Sequence, residues 1–181
     1  MRPLRSSWMR VAWVLLGNLA GSSVNADAPL PPPRAAKQNC SLNGHFCLRR
    51  AEGSDLLRLD AVEPSGRRTQ RWEIRHPARS FLIANDGEHW VELYEGANLL
   101  ALDAPETTVM LTFHRRGETI TRVMLRQLVQ HPSNLPRSVS HWIWARAYGF
   151  EKGEFILRTE ESIEFRFDFH TGRSINRGLF P

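Results

Sequence analysis

Between residues 163 and 170 apolar and polar positions alternate without a break. Ile163, Phe165, Phe167 and Phe169 fall on one side of an extended chain, and Glu164, Arg166, Asp168 and His170 on the other. Successive side chains of a strand point to opposite faces, so this pattern predicts a β-strand with one buried and one wet face. Residues 153–159, around Phe155, Ile156 and Leu157, predict a second strand, with Glu160, Glu161 and Ser162 as the turn between the two. Residues 138–147 predict a third strand carrying Trp142 and Trp144 on one face. Thr171 and Gly172 close this β-meander.

Two similar units precede it. In the first, strand-like runs at 46–51, 56–62 and 69–75 are broken by turns at 52–55 and 64–66, and Trp72 and Ile74 alternate with Arg71, Glu73 and Arg75. In the second, runs at 81–84 and 89–94 flank Asn85-Asp86-Gly87, a short run at 99–102 follows, and runs at 109–113 and 119–123 flank Arg115-Arg116-Gly117-Glu118. Residues 124–130 predict one or two helical turns with Leu125 and Leu128 on one side, stopped by Pro132. The fold class that follows is all-β, of antiparallel meanders, with one short helix near 124–130.

Each group is roughly 40 residues long, the length of a β-propeller blade. Asn85-Asp86-Gly87, Asn98-Leu99-Leu100, the hairpin at 113–117, Ser138-Val139-Ser140 with Trp142 and Trp144, and Phe167-Asp168 with Thr171-Gly172 carry a resemblance. The pattern they make resembles exported bacterial proteins of unassigned function built from propeller-blade-like meanders. That resemblance implies a repeated blade-like architecture; it brings no activity, so no functional residue is carried over. Three units fall short of the four or so blades of a closed propeller, so an open stack or a sandwich is expected, with strand edges that need cover.

The first residues read differently. Arg2, Arg5 and Arg10 precede an apolar run at 11–21, and small or polar residues lead to Val24 and Ala26. A basic region, a short apolar region and a small-residue exit make a secretory signal peptide over 1–26, cut after Ala26 or after Ala28. The apolar run is too short for the roughly 20 residues that span a bilayer, so no membrane span is expected once it is removed. Pro29, Pro31, Pro32 and Pro33 make 27–39 a leader biased to polyproline II; a single β domain over 40–177 and a tail over 178–181 follow. The expected location is periplasmic or secreted.

Charge and composition narrow the picture. Of the 24 basic side chains, three leave with the signal peptide, which reduces the excess over the 19 acidic ones to two. The remaining arginines are interspersed with Glu and Asp, a mixed surface that gives no basic footprint for nucleic acid. A 41% apolar and 24% charged chain has the composition of a folded domain. Cys40 and Cys47 are the only cysteines, and an exported even pair is normally bonded. Asn43-Gly44 between them is a favoured hairpin turn that would bring them side by side.

Chemistry is harder to find. The histidines at 45, 76, 89, 114, 131, 141 and 170 stand singly, with no metal-binding spacing. Ser140-His141 would face opposite ways on a strand and so would not make a nucleophile–base pair. Phosphate-binding turns and the Gly-x-Ser-x-Gly motif are absent, and Glu151, Glu154, Glu160 and Glu161 read as solvated acids. No catalytic residue, metal ligand or cofactor is therefore expected. Trp90, Trp142, Trp144 and Tyr148 offer an aromatic binding surface, with a role in the core as the alternative. The functional expectation is an exported non-enzymatic binding protein of the bacterial envelope whose partner is a protein or itself. The alternatives are an envelope hydrolase with a site assembled from scattered His, Asp and Glu, and an inhibitor or immunity-type partner of a secreted enzyme.

Overall fold

A computed structural model describes residues 37–179, with side chains described as far as Asn176. The expected signal peptide, its cleavage site and the leader through residue 36 lie outside the described residues. The chain begins with a four-stranded antiparallel meander: β1 (Gln38–Cys40), β2 (Phe46–Arg50), β3 (Leu56–Val62) and β4 (Arg68–Arg75) lie side by side in sequence order. β5 (Phe81–Ile83) and β6 (His89–Leu93) open a second sheet. The chain then leaves it for β7 (Leu99–Ala101) and returns as β8 (Val109–Arg115) and β9 (Glu118–Met124), giving the order β5-β6-β8-β9. A short helix, α1 (Leu125–Leu128), and a 3-10 turn at Pro132–Asn134 lead to β10 (His141–Ile143), which pairs with β7. β11 (Ala145–Glu151), β12 (Glu154–Thr159), β13 (Ile163–Asp168) and β14 (Arg173–Leu179) form the third four-stranded meander. The protein is all-β and antiparallel, and among the described residues no helix is long and apolar enough to cross a membrane.

The second sheet is the middle of a stack. Phe81, Ile83 and Trp90 meet Leu48, Leu57 and Leu59 of the first sheet in one core. Val91, Leu93, Leu111 and Phe113 meet Phe155, Leu157, Phe165 and Phe167 of the third sheet in another. Burial on both faces explains why β6 and β8 are buried almost along their whole length, whereas burial in β13, covered on one face, alternates strictly. Its outward residues Glu164 and Arg166 join Arg158 and Glu154 in a ladder of ion pairs on the solvent side.

Three sequence expectations change. The run at 138–147 is two elements, because the chain passes from one sheet to another at Trp144. That indole is fully buried and donates to the Ala97 carbonyl at 2.7 Å, while the Trp144 N–H donates to Asn98. Residues 99–101 belong with β10, not with the second meander, since Leu100 lies opposite Trp142. Thr171 and Gly172 do not end the third unit but turn it into β14, which pairs along β13. The sheets also recruit Gln38, Asn39 and Leu179, which the sequence assigns to the leader and tail.

The cysteines are bonded: Cys40 and Cys47 face each other across β1 and β2 with Cα atoms 4.0 Å apart. The hairpin turn runs over 41–44, closed by the Gly44 N–H on the Ser41 carbonyl, and Asn43 stands third in it rather than second. Asn43 also donates two hydrogen bonds to Asn85, from its backbone N–H to Oδ1 and from Nδ2 to the carbonyl, tying this turn to the β5–β6 turn.

Turn glycines set how closely the sheets approach. Gly87 of the β5–β6 turn has φ +68°, and a Cβ there would lie 2.5 Å from the Phe46 ring of the first sheet. Gly172 of the β13–β14 turn has φ +65°, and its Cβ would lie 2.7 Å from Thr121 of the second sheet. Each seam thus carries a left-handed turn residue with no room for a side chain. Gly153 has the same backbone sign, φ +85°, but open space around it. Gly153→Ala should therefore cost about 1 kcal/mol of unfolding free energy, and Gly87→Ala or Gly172→Ala about 2–4 kcal/mol, measured by urea denaturation.

Candidate functional site

The aromatic residues divide between core and rim. Trp90 and Trp144 are 1% and 0% exposed, in the first and second cores respectively, so neither presents a face to a ligand. Trp142 and Tyr148 are half-buried against the second core, and Trp142 carries the Arg137 guanidinium 5.6 Å from its ring centre. The indoles of Trp72, half-buried, and of the buried Trp90 and Trp144 have a different job. Trp72 donates to the Gly87 carbonyl at 2.9 Å, Trp90 to Arg116 and Trp144 to Ala97. All three acceptors belong to turn residues with positive φ. A buried indole N–H needs an acceptor, and here each one fastens a left-handed turn.

The expected separation of Ser140 and His141 is corrected. Ser140 lies just before β10, where strand alternation does not apply, and its Oγ is 2.8 Å from His141 Nδ1. Among the described residues His141 has no carboxylate partner of the kind that orients a catalytic base. The carboxylates have structural roles. Glu161 accepts from the N–H groups of Gln130 and His131 after α1, Glu160 pairs with Arg146, and Glu151 and Glu154 pair with Arg158 and Arg166.

Histidines far apart in sequence converge in space at two places. The first lies between the first and second sheets. Glu92 on β6 and His114 on β8 share the face turned toward the first sheet, and His76 arrives from the connection after β4. Glu92 Oε2 is 3.3 Å from His114 Nε2 and 3.8 Å from His76 Nε2. His114 stacks on Trp90 with ring centres 4.0 Å apart, which is the cross-strand pairing of two opposed residues. His76 Nδ1 accepts the Ala78 N–H, so the neutral ring bears its proton on Nε2, toward Glu92. With both Nε2 atoms turned to one carboxylate, this group is a proton-bearing polar insert in a core rather than a ligand set for a cation. Among the described residues, His114 Nδ1 is the buried atom of this group without a hydrogen-bond partner.

The second convergence joins the β5–β6 turn to the β13–β14 turn. Asp86 Oδ1 accepts the N–H groups of Glu88 and His89, and Oδ2 accepts His89 Nδ1–H at 2.6 Å. His170 brings Nε2 to 3.9 Å from the same Oδ2, and its Nδ1 faces Asp168 Oδ1 at 3.3 Å. His89 is nearly buried against Phe169, while Asp86 and His170 reach solvent. Burial pushes the Asp86 carboxyl up, but the backbone N–H groups of His89 and Glu88 and the His89 ring outweigh it and hold the group below its ordinary range. Asp168 is lowered in the same way, burial being outweighed by the His170 N–H, the Thr171 hydroxyl and the His170 ring. Asp86 and His89 meet within one turn, three residues apart, but His170, like the partners among 76, 92 and 114, is brought in by strand register and the packing of separate sheets.

A cleft of about 420 Å³ runs between β9 and the β13–β14 hairpin. Val123, Leu128, Phe165 and Phe167 supply its apolar lining, and Arg122, Gln127, Arg173 and Ser174 its polar part.

A scan of known protein families gives no match to this chain, and a search of curated proteins finds none similar to it. The functional reading rests on the residues themselves.

The His76 ring supplies a test. Burial lowers its pKa from the ordinary 6.5; Glu92 pulls the other way, and His114 and Arg50 reinforce the fall. A ring with a lowered folded pKa takes up its proton more readily in the unfolded chain. Its contribution to stability is complete above the unfolded value and is lost as pH falls below it. Urea denaturation from about pH 7.5 to about pH 5.5 should therefore show a steeper loss of stability for the wild type than for His76→Asn, which keeps an acceptor for Ala78.

Proposed function

We propose that the mature chain is an exported, non-enzymatic interaction module that takes an extended segment of a protein partner into the cleft beside β9. The observation that carries this is the coincidence of an apolar-lined cleft of about 420 Å³ with an edge strand, β9, that among the described residues pairs with no strand on its outer side. Strand addition uses those two features together: free main-chain groups give affinity, and pockets for alternate side chains give specificity. Arg122 and Arg173 add cationic groups to the cleft, which favours a segment with acidic residues. The bonded cysteine pair is compatible with export, since disulfides persist in oxidising compartments.

One observation favours the hydrolase alternative: Asp86, His89 and His170 do converge. Against it, none of the cleft-lining residues named above is a nucleophile paired with a base.

A photo-crosslinking amino acid placed at Arg122 or Ser174, on the cleft, and at Arg71, on the exposed stretch of β4, tests the proposal in the living envelope. The expected result is one crosslinked polypeptide at the cleft positions, joined through a defined stretch of its chain, and none at Arg71. Equal labelling at all three positions, or none at the cleft, would overturn it.

A further inference from the structure

We propose that Asp86, His89 and His170 form a site for a divalent transition-metal ion of the zinc type, which fastens the β5–β6 turn to the β13–β14 turn. The proposal stands on these residues alone and does not depend on the cleft beside β9.

The argument starts from where the protons are. Asp168 faces His170 Nδ1, and a carboxylate can only accept, so the neutral ring bears its proton there and presents the Nε2 lone pair on its other side. That lone pair faces Asp86 Oδ2 at 3.9 Å. Two acceptors brought together from separate sheets repel unless a cation lies between them. His89 Nδ1 contacts the same oxygen, so one carboxylate oxygen and two imidazole nitrogens surround one point, all within 4.8 Å of one another.

The dimensions suit the ion. Bonds of about 2.0–2.1 Å in a tetrahedron place donor atoms roughly 3.3 Å apart, and the 2.6 Å and 3.9 Å separations bracket that value. The ion would take the place of the proton on His89 Nδ1, which the neutral ring then carries on Nε2, so the ring stays neutral and no proton is lost, and the Asp86–His89 pair opens from 2.6 Å by about 0.7 Å. His170, with 59% of its side chain exposed, has the freedom to close the longer gap. Asp168 on His170 Nδ1 is the outer carboxylate that fixes a ligating imidazole's tautomer and raises its basicity. Both carboxyls are held ionised by the hydrogen bonds of their turns, which gives the group the negative charge that a divalent cation needs. Exposure of Asp86 and His170 provides the way in and leaves a fourth position to water.

The His76–Glu92–His114 group does not compete as a metal site. There His76 Nδ1 is already an acceptor and His114 Nδ1 has no acceptor, so neither ring can release Nε2 to a metal without an unsatisfied or clashing N–H.

Titration of the purified, chelator-treated chain with zinc, followed by calorimetry and by thermal unfolding, tests the assignment. The expected result is one ion bound per chain with a rise in melting temperature. His170→Gln removes a solvent-exposed ligand and should weaken binding at least tenfold with the fold intact; His141→Gln should leave it unchanged. Cobalt should give the visible absorption of a four-coordinate site in the wild type and lose it in His170→Gln. Imidazole nitrogen NMR should move His89 Nδ1 and His170 Nε2 on zinc addition and leave His141 still. No stoichiometric binding, or binding unaltered in both His170→Gln and His89→Gln, would overturn the proposal. So would a His170 that titrates as an imidazolium between Asp86 and Asp168 with no response to zinc.

Discussion

Everything in this fold depends on a sheet that is covered on both faces. β5, β6, β8 and β9 bury Trp90, Phe81 and Ile83 against one neighbour and Val91, Leu93, Leu111 and Phe113 against the other. The outer sheets each have one apolar face and would expose it without that middle layer. Burial of large aromatic and branched side chains contributes about 1.5–3 kcal/mol apiece, so the two cores together offset the entropy of ordering three meanders. The arrangement also restricts what can be changed. A residue of β6 or β8 has a neighbour whichever way it points, so even the polar residues His89, Thr112 and His114 are buried.

Such a stack must be brought into register, and turns do much of that work. Gly87 and Gly172 let a turn of one sheet rest on a side chain of the next. Trp72 reaches across from the first sheet to the Gly87 carbonyl, and Asn43 meets Asn85. Thr121 Oγ1 donates to the Thr171 carbonyl at the other seam. These contacts are directional, unlike the apolar ones beneath them, and they fix where one sheet sits along its neighbour. The two histidine groups lie at the same seams, one per interface.

The legibility of the chain follows the same physics. Strict alternation at 163–168 identified β13 because that strand has one wet face, and the short helix at 125–128 was readable from Leu125, Leu128 and the proline beyond. The Cys40–Cys47 bond was readable from pairing and spacing. The split at Trp144 was not, since Trp142 and Trp144 keep a strand's parity while the chain changes sheets between them. Nor was the pairing of 99–101 with 141–143, which spans a whole meander. Local pattern cannot report a partner that arrives from so far along the chain. Ser140 and His141 met because the strand starts three residues later than the pattern suggests, at 141 rather than 138. Asp86, His89 and His170 were invisible for a related reason: a ligand set drawn from two turns on two sheets has no spacing to recognise.

The bond between Cys40 and Cys47 has a mechanical consequence. β1 is only three residues long, at the edge of its sheet and at the start of the described chain. A pull on the chain ahead of Gln38 would ordinarily unzip such a strand one hydrogen bond at a time, at little force. Here the pull passes through sulfur to Cys47 at the root of β2, by-passing the 41–46 loop, and must then shear β2 against β3 along five paired residues. The bond thereby keeps such a pull from drawing out the 41–46 loop before β2 itself is engaged.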